Sequence, residues 1–286
     1  MEQRENQNFT VTEETAWCPG CGNFPLRSAL QDALNRLKIK PEGVTMFTGI
    51  GQAAKMPHYI SLNGFNGLHG RSLPPAVGTK IANKDMHVIV ESGDGCTYGE
   101  GGNHILHNIR RNVDLVHLVH NNQIYGLTKG QASPTTGEEN ITGVQPYGIN
   151  AEPFHPVRFA VGMKASFVAR GFVGEGDHLS DLIEQAFDHR GYALVDILQP
   201  CVSFNKVNTY QWYSERVYRL SEDYPADNHE KAQQKAREWG NEIPIGVIYR
   251  EEKEIFYDNF FFLGDVPLVE QERNPEDITP FLAEFK

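Results

Sequence analysis

From Phe24 the apolar residues Leu26, Ala29, Leu30, Ala33, Leu34 and Leu37 recur at intervals of three and four. That spacing puts them on one face of an α-helix, and Pro41 and Gly43 are expected to end it. Downstream the pattern changes to short apolar runs at 44–48 (VTMFT), 87–91 (HVIVE), 113–119 (VDLVHLV), 166–169 (SFVA) and 192–198 (YALVDIL). Each is of strand length, rich in Val and Ile, and bounded by Gly, Asn or Pro. Helical stretches are predicted between them at about 74–83, 101–111, 156–164 and 178–189. Continuous apolar strands alternating with helices predict an α/β fold, a doubly wound, mostly parallel sheet covered on both faces.

Residues 1–16 are polar and aperiodic, and read as an N-terminal arm that orders only against something else, with no core hidden in it. After Cys201 the periodicity weakens and aromatics gather at Tyr210, Trp212, Tyr213, Tyr218 and Phe260–Phe262. The expected organisation is therefore an arm (1–16), a main domain (17–205) and a C-terminal extension (206–286) packing on that domain or on a partner chain.

Composition narrows the function classes. No apolar run approaches the ~18 residues a bilayer crossing needs, so no membrane span is expected. The net charge of −11 has the wrong sign for a phosphate-backbone binder, so nucleic acid is not an expected partner. Four cysteines in 286 residues are too few for a disulfide scaffold, and the opening MEQRENQNFT lacks an apolar signal core. A cytoplasmic setting follows as the expectation, with the thiols available for metal or redox chemistry.

In doubly wound sheets ligands bind beyond the carboxyl ends of the strands, so the loops after residues 48, 91 and 119 are where chemistry is expected. Gly93-Asp94-Gly95 follows one strand and Asn121-Asn122 the next. A carboxylate and a carboxamide at neighbouring strand ends can converge on one hard cation through oxygen, and Mg²⁺ with a diphosphate is the natural pairing. Glycines flanking Asp94 let backbone N–H groups approach that diphosphate. Either piece alone is also a common turn or cap; both together point to an anchor.

These residues carry a family resemblance. Gly93-Asp94-Gly95 with Asn122 resembles the thiamine diphosphate motif. The string NNQIYGLTKGQASPT at 121–135 resembles the β subunit of 2-oxoacid:ferredoxin oxidoreductases, as do WCPGCG at 17–22, GIG at 49–51, LHGR at 68–71 and GNHILHNIRRN at 102–112. The likeness runs in order over about residues 15–210. It implies the pyrophosphate-binding fold of a thiamine-diphosphate enzyme and the oxidative decarboxylation of a 2-oxoacid with coenzyme A, giving acyl-CoA and CO₂ and passing electrons to ferredoxin. It also implies that Asp94, Asn122 and the Ile124 carbonyl hold Mg²⁺, and that Gly93, Gly95, Cys96, Gly126 and Leu127 line the diphosphate. Ile50, Gly51, Gln52, Ala53 and His69 would approach the rest of the cofactor. The partner of the aminopyrimidine would come from an α subunit (or α plus γ), so the chain is expected to work only in a complex. Among 2-oxoacids, 2-oxoglutarate is mildly favoured by the wording of the motifs.

Cys18-Pro19-Gly20-Cys21 supplies two thiolates, half of a zinc or iron–sulfur site. By resemblance a 4Fe-4S cluster would be held by Cys18, Cys21, Cys201 and a cysteine in the GIG loop, where this chain has Gln52. Three arrangements are open: three cysteines with another fourth ligand, Cys96 as the missing thiolate, or a cluster lost or replaced by zinc. Cys96 reads first as a small apolar filler behind the glycine turn, ahead of a ligand. Lys55, His69, Arg71 and Lys129 lie in the same loops. By resemblance Lys55 and Lys129 serve the carboxylate of the substrate, and His69 serves proton transfer or diphosphate contact. His104 and His107 share a helix face, but His117 and His120 point to opposite faces of a strand, so no zinc site is expected of the four. His120 is expected to face the Asn pair.

Two rival readings remain: a thiamine-diphosphate decarboxylase or synthase without redox chemistry, which needs none of the cysteines, and a non-catalytic iron–sulfur subunit, which needs no diphosphate anchor.

Overall fold

The helical pattern beginning near Phe24 becomes α1 (Asn23–Arg36) in the computed structural model, which describes residues 9–138, 140–260, 264–272 and 274–285. The helix stops five residues before Pro41. Lys38 takes a left-handed φ of 56°, and the chain folds back so that Ile39 N–H bonds the Leu34 carbonyl and Lys38 N–H that of Asn35. This double bond beyond the last turn ends a helix without proline, and it buries Ile39 against the core.

The expected strands form as β1 (Val44–Thr48), β3 (His87–Gly93), β4 (Leu115–Asn121), β5 (Phe167–Phe172) and β6 (Tyr192–Leu198). The polar edge strand β2 (Asn63–Asn66) lies between β1 and β3 in the chain. The connecting helices are α2 (Leu73–Ala82), α3 (Gly102–Arg111), α4 (Pro156–Gly162) and α5 (Gly176–Asp188). They are followed by α6 (Tyr210–Ser214), β7 (Val217–Arg219), α7 (His229–Arg237) and β8 (Ile243–Arg250), and further along by α8 (Thr279–Ala283). The eight strands form one sheet in the order β2-β1-β3-β4-β6-β5-β8-β7, parallel except where β8 runs antiparallel to β5.

Side chains alternate between two cores. Ala193, Val195 and Ile197 of β6 join α1 and α5 on one face, while Tyr192 and Leu194 join α2, α3, α4 and α7 on the other. Burial on both faces is why these strands read as unbroken apolar runs.

One segment differs from expectation. Phe9 of the arm is 2% exposed in the core, and its carbonyl accepts from Ser61 N–H and Gln31 Nε2. One aromatic ring among polar neighbours carries no periodicity, so the sequence pattern does not reveal it. In the extension, β8 continues the main sheet by pairing with β5. Residues 1–8 of the arm, and Phe261 and Phe262, lie outside the described residues. No helix among the described residues is long and apolar enough to cross a membrane.

Candidate active site

The strands β1, β3, β4 and β6 are consecutive neighbours in the sheet, so their carboxyl-end loops adjoin. Together they form the lining of a cavity of ≈80 Å³ that includes Ile50, Gly51, Gln52, Ala53, His69, Gly93, Asp94, Gly95, Cys96, Asn122, Ile124, Gly126 and Leu127. The residues predicted for Mg²⁺, the diphosphate and the rest of the cofactor are therefore brought to one place. Lys55, Arg71 and Lys129 are not part of this lining. Arg71 Nη1 lies 2.6 Å from His104 Nε2. Lys129 stands exposed at the tip of the loop after β4 with φ 79°, and Lys55 lies in the short helix 53–58.

Asp94 is the best-determined group of the site. Its Oδ2 accepts hydrogen bonds from Ser133 Oγ (2.5 Å) and Thr135 Oγ1 (2.6 Å), hydroxyls of the loop that follows the Asn pair. Burial pushes its pKa up to about 6, although both hydroxyls and the Gly95 N–H pull it down. Thr135 Oγ1 also lies 3.0 Å from Asn121 Oδ1, and Asn121 Nδ2 donates to both oxygens of Asp196. Tyr98 O–H donates to Asp196 Oδ1 at 2.8 Å, which closes a buried ring of polar groups from Asp94 back to the turn that follows it. That turn, Gly95–Glu100, is π-helical, with Gly101 N–H bonding the Cys96 carbonyl. Single π-turns often mark functional sites. Ser133, Thr135, Asp196 and Tyr98 were not singled out in the sequence; the SPT that follows the Asn pair was the available signal.

The two glycines of the motif do different work. A Cβ on Gly95 would sit 2.2 Å from Tyr125 Cε1, whereas one on Gly93 would meet only the His120 carbonyl, at 4.0 Å. Asn122 Oδ1 accepts from Ile124 N–H (3.0 Å), which shapes the loop and leaves its second lone pair. The donor set fits a hard divalent cation: a carboxylate raised by burial, a carboxamide oxygen and a backbone carbonyl on residues of one lining. At the mouth, Tyr125 O–H donates to Glu100 (3.2 Å), and His69 Nδ1 lies 3.0 Å from Glu100 Oε2.

The histidines are distributed among separate partners. His120, fully buried, is bound by Glu91 (2.6 Å) and Asn23 (2.9 Å), so its side chain does not face the Asn pair as expected. It lies on the face that packs against α1, where Asn23 opens the helix. His117 contacts Tyr192 O–H at 2.7 Å.

Cys18, Cys21 and Cys201 are all unpaired and close enough to influence one another. Burial pushes the Cys21 thiol up to about 11, partly offset by the Asn23 N–H, and the neighbouring Cys201 and Cys18 add to the rise. A Cβ on Gly126 would lie 3.8 Å from Cys201 Sγ, so the thiols adjoin the loop that lines the cavity. Gln52 is pinned beside them, its carbonyl accepting from Trp17 Nε1 (3.0 Å), while its side-chain Oε1 is buried without a partner. Among the described residues no three His, Cys, Asp or Glu side chains could hold one metal ion. Cys96, 2% exposed, accepts from Gly70 N–H (3.1 Å) and lines the cofactor cavity instead.

A larger cavity of ≈640 Å³ lies at the opposite end of the sheet, beside the Lys80–Asp114 pair, Tyr257, Asp258 and residues 264–268. Volume alone does not locate the chemistry of an α/β sheet; the strand ends do.

Comparison with known proteins bears on the fold and the family. The family model for the thiamine pyrophosphate enzyme C-terminal TPP-binding domain matches residues 44–197, and the model for the C-terminal region of the pyruvate ferredoxin oxidoreductase beta chain matches residues 201–264. The chain is 43% identical over 252 residues to the 2-oxoacid:ferredoxin oxidoreductase subunit beta of Saccharolobus solfataricus, covering 82% of each chain. It is 39% identical over 204 residues to the 2-oxoglutarate oxidoreductase subunit KorB of Mycobacterium tuberculosis, covering 71% of this chain and 55% of that one. The solved 2-oxoglutarate:ferredoxin oxidoreductase of Magnetococcus marinus, with 2-oxoglutarate, coenzyme A and succinyl-CoA bound, superposes with a TM-score of 0.91. It shares 32% identity and covers 99% of this chain and 98% of its own.

Proposed function

Since the chain belongs to the β-subunit family of the 2-oxoacid:ferredoxin oxidoreductases, we propose that Asp94, Asn122 and the Ile124 carbonyl hold Mg²⁺ and through it the diphosphate of thiamine diphosphate. Gly93, Gly95, Cys96, Gly126 and Leu127 line that diphosphate, and Ile50, Gly51, Gln52, Ala53 and His69 face the remainder of the cofactor. When bound, thiamine diphosphate supplies the nucleophilic carbon and electron sink for decarboxylating a 2-oxoacid, with the acyl group passing to coenzyme A and electrons to ferredoxin. The observation that carries the reading is Asp94. It is a buried carboxylate fixed by two hydroxyls, set between glycines at a strand end and without a salt bridge among the described residues.

This chain's residues bind, orient and exclude water. Ser133 and Thr135 fix which oxygen of Asp94 faces inward, and Tyr125 closes over Gly95. His69, at the mouth beside Glu100, is placed to move a proton near the reacting centre. Lys55, Arg71 and Lys129 provide positive charge around the opening for the substrate carboxylate. Relatives named for 2-oxoglutarate favour that substrate.

The cavity of ≈80 Å³ is well below the ≈300–1,000 Å³ of a complete small-molecule pocket. Ile50 (42% exposed), Leu68 (74%) and Leu127 (41%) leave apolar surface beside it. An exposed apolar patch of this kind fits a partner surface, here an α subunit (or α plus γ) that completes the site. Cys18, Cys21 and Cys201 are assigned to a 4Fe-4S cluster, with Gln52 in the fourth place and Cys96 outside it. Residues 17–205 with the strands of the 206–286 extension form the binding body.

The test is Asp94→Ala. Mg²⁺-dependent thiamine diphosphate binding, followed by calorimetry on the assembled complex, is expected to disappear while the circular dichroism spectrum is kept. Binding retained in a folded variant would overturn the anchor. The presence of Gln52 favours one second reading, a thiamine-diphosphate enzyme without redox chemistry. Purified complex holding thiamine diphosphate but no iron would establish it.

A further inference from the structure

Behind the ring that holds Asp94 lies a separate cavity of ≈410 Å³, with no lining residue in common with the cofactor cavity. Arg170 and Asp196, paired in register on β5 and β6, stand in its wall with His155, Trp212, Trp239 and Thr135. Its volume is within the range of small-molecule pockets.

Arg170 is the anomaly. It is 4% exposed, and its one hydrogen bond among the described residues runs from Nη1 to the Pro244 carbonyl at 3.2 Å. Among the described residues its Nε is buried without a hydrogen-bond partner and no carboxylate forms a salt bridge with it, although Asp196 is near enough to act on its charge. Asp196, directly across the strands, accepts instead from Tyr98 and from Asn121. Glu138, the other carboxylate of the lining, is exposed at the rim. The guanidinium lies over the Trp239 ring, 5.5 Å from its centroid, a stacking that fixes the plane of its donor fork.

Asp196 is near enough to favour the charge of Arg170 against the cost of burial but makes no salt bridge with it, and a guanidinium cannot relieve that cost by losing its proton, so among the described residues its buried donor fork lacks a directly bonded anion. A planar, oriented fork with a free donor beside a cavity is the arrangement that recognises a carboxylate or phosphate. We propose that this cavity is a second ligand site, taking a small oxyanion against Arg170, distinct from the diphosphate anchor and sharing with it only the ring of Asn121, Thr135 and Asp196.

Two of the three tryptophans, Trp212 and Trp239, line the cavity, so the ligand is readable in tryptophan emission. The complex is titrated with succinate and, separately, with inorganic phosphate, against KCl at matched ionic strength. A saturable change with at least one of the two is expected, and the tighter arm tells whether the natural ligand is a carboxylate or a phosphate. Arg170→Met is expected to abolish it. Arg170→Lys, which keeps the charge without the fork, is expected to weaken it about tenfold or more. If Arg170→Met does not fold, Arg170→Lys decides alone, with its fold checked by circular dichroism. A change no different from KCl, or equal affinity in a folded Arg170 variant, overturns the proposal.

Discussion

Thr135→Val replaces a hydroxyl by a methyl of the same shape, so its effect reads hydrogen bonding without a cavity. Thr135 Oγ1 lies 2.6 Å from Asp94 Oδ2 and 3.0 Å from Asn121 Oδ1, and its single proton serves the carboxylate, the shorter and charged partner. A hydrogen bond to a charged group contributes about 1.5–3 kcal/mol. Ser133 still donates to the same oxygen, so Asp94 is loosened and not released. Urea unfolding is expected to show a loss of about 1.5–3 kcal/mol. If the lost bond is what aims the carboxylate, Mg²⁺-dependent thiamine diphosphate affinity falls about ten- to a hundredfold, at ~1.4 kcal/mol per tenfold. Thr135→Ser is expected to restore most of both. Wild-type unfolding midpoint together with affinity within about twofold in Thr135→Val would refute a positioning role, since about 0.4 kcal/mol is all that such a change represents.

The cluster assignment predicts that Cys201→Ser lowers iron content and bleaches visible absorbance, while Gln52→Cys raises the iron retained on reconstitution; unchanged iron in both would make the thiols structural. Gly95→Ala is expected to destabilise the fold by displacing Tyr125, whereas Gly93→Ala, whose Cβ meets no protein atom nearer than 4.0 Å, is expected to unfold like the wild type; equal losses of stability in the two by urea unfolding would contradict the steric argument. Burial holds His117 down to about 3, and burial with the nearby Arg250 holds His189 down to about 4. Both lie below the unfolded value of about 6.5, so the unfolded chain takes up these protons first and stability is lost as pH falls below that value. Each contributes about 1.4 kcal/mol per pH unit. His117→Gln is expected to flatten the loss between pH 6 and 4 by about that amount per unit, and an unchanged slope in urea unfolding would show that His117 is not the cause.

Much of the site is legible in the chain because its residues are local. Gly93-Asp94-Gly95, Asn122 and the Ile50–Ala53 stretch follow strands whose apolar runs mark them plainly, and ligand loops follow strand ends. The strands 44–48 and 192–198 match β1 and β6 residue for residue because burial on both faces leaves nothing but apolar pattern. The polar edge strand β2 and the strands β7 and β8 were not legible. β2 is exposed throughout, and β8 joins the sheet by pairing with a strand more than seventy positions earlier, which no local period records.

The sequence alone determined the fold class and the family, since each is written in short-range pattern and motif. It also singled out Gly93-Asp94-Gly95 with Asn122 as the proposed diphosphate anchor and, by resemblance, Gln52 as the occupant of a cluster cysteine's place. Only the tertiary structure decided which groups hold Asp94, that His120 turns to Glu91 and Asn23 and not to the Asn pair, that Cys96 lines the cavity at the strand ends, and that Arg170 is buried with no salt-bridge partner among the described residues. These are contacts between side chains 26 to 97 positions apart or more, and hydrogen bonding and burial at that range depend on how the helices and strands pack, which residue order does not display.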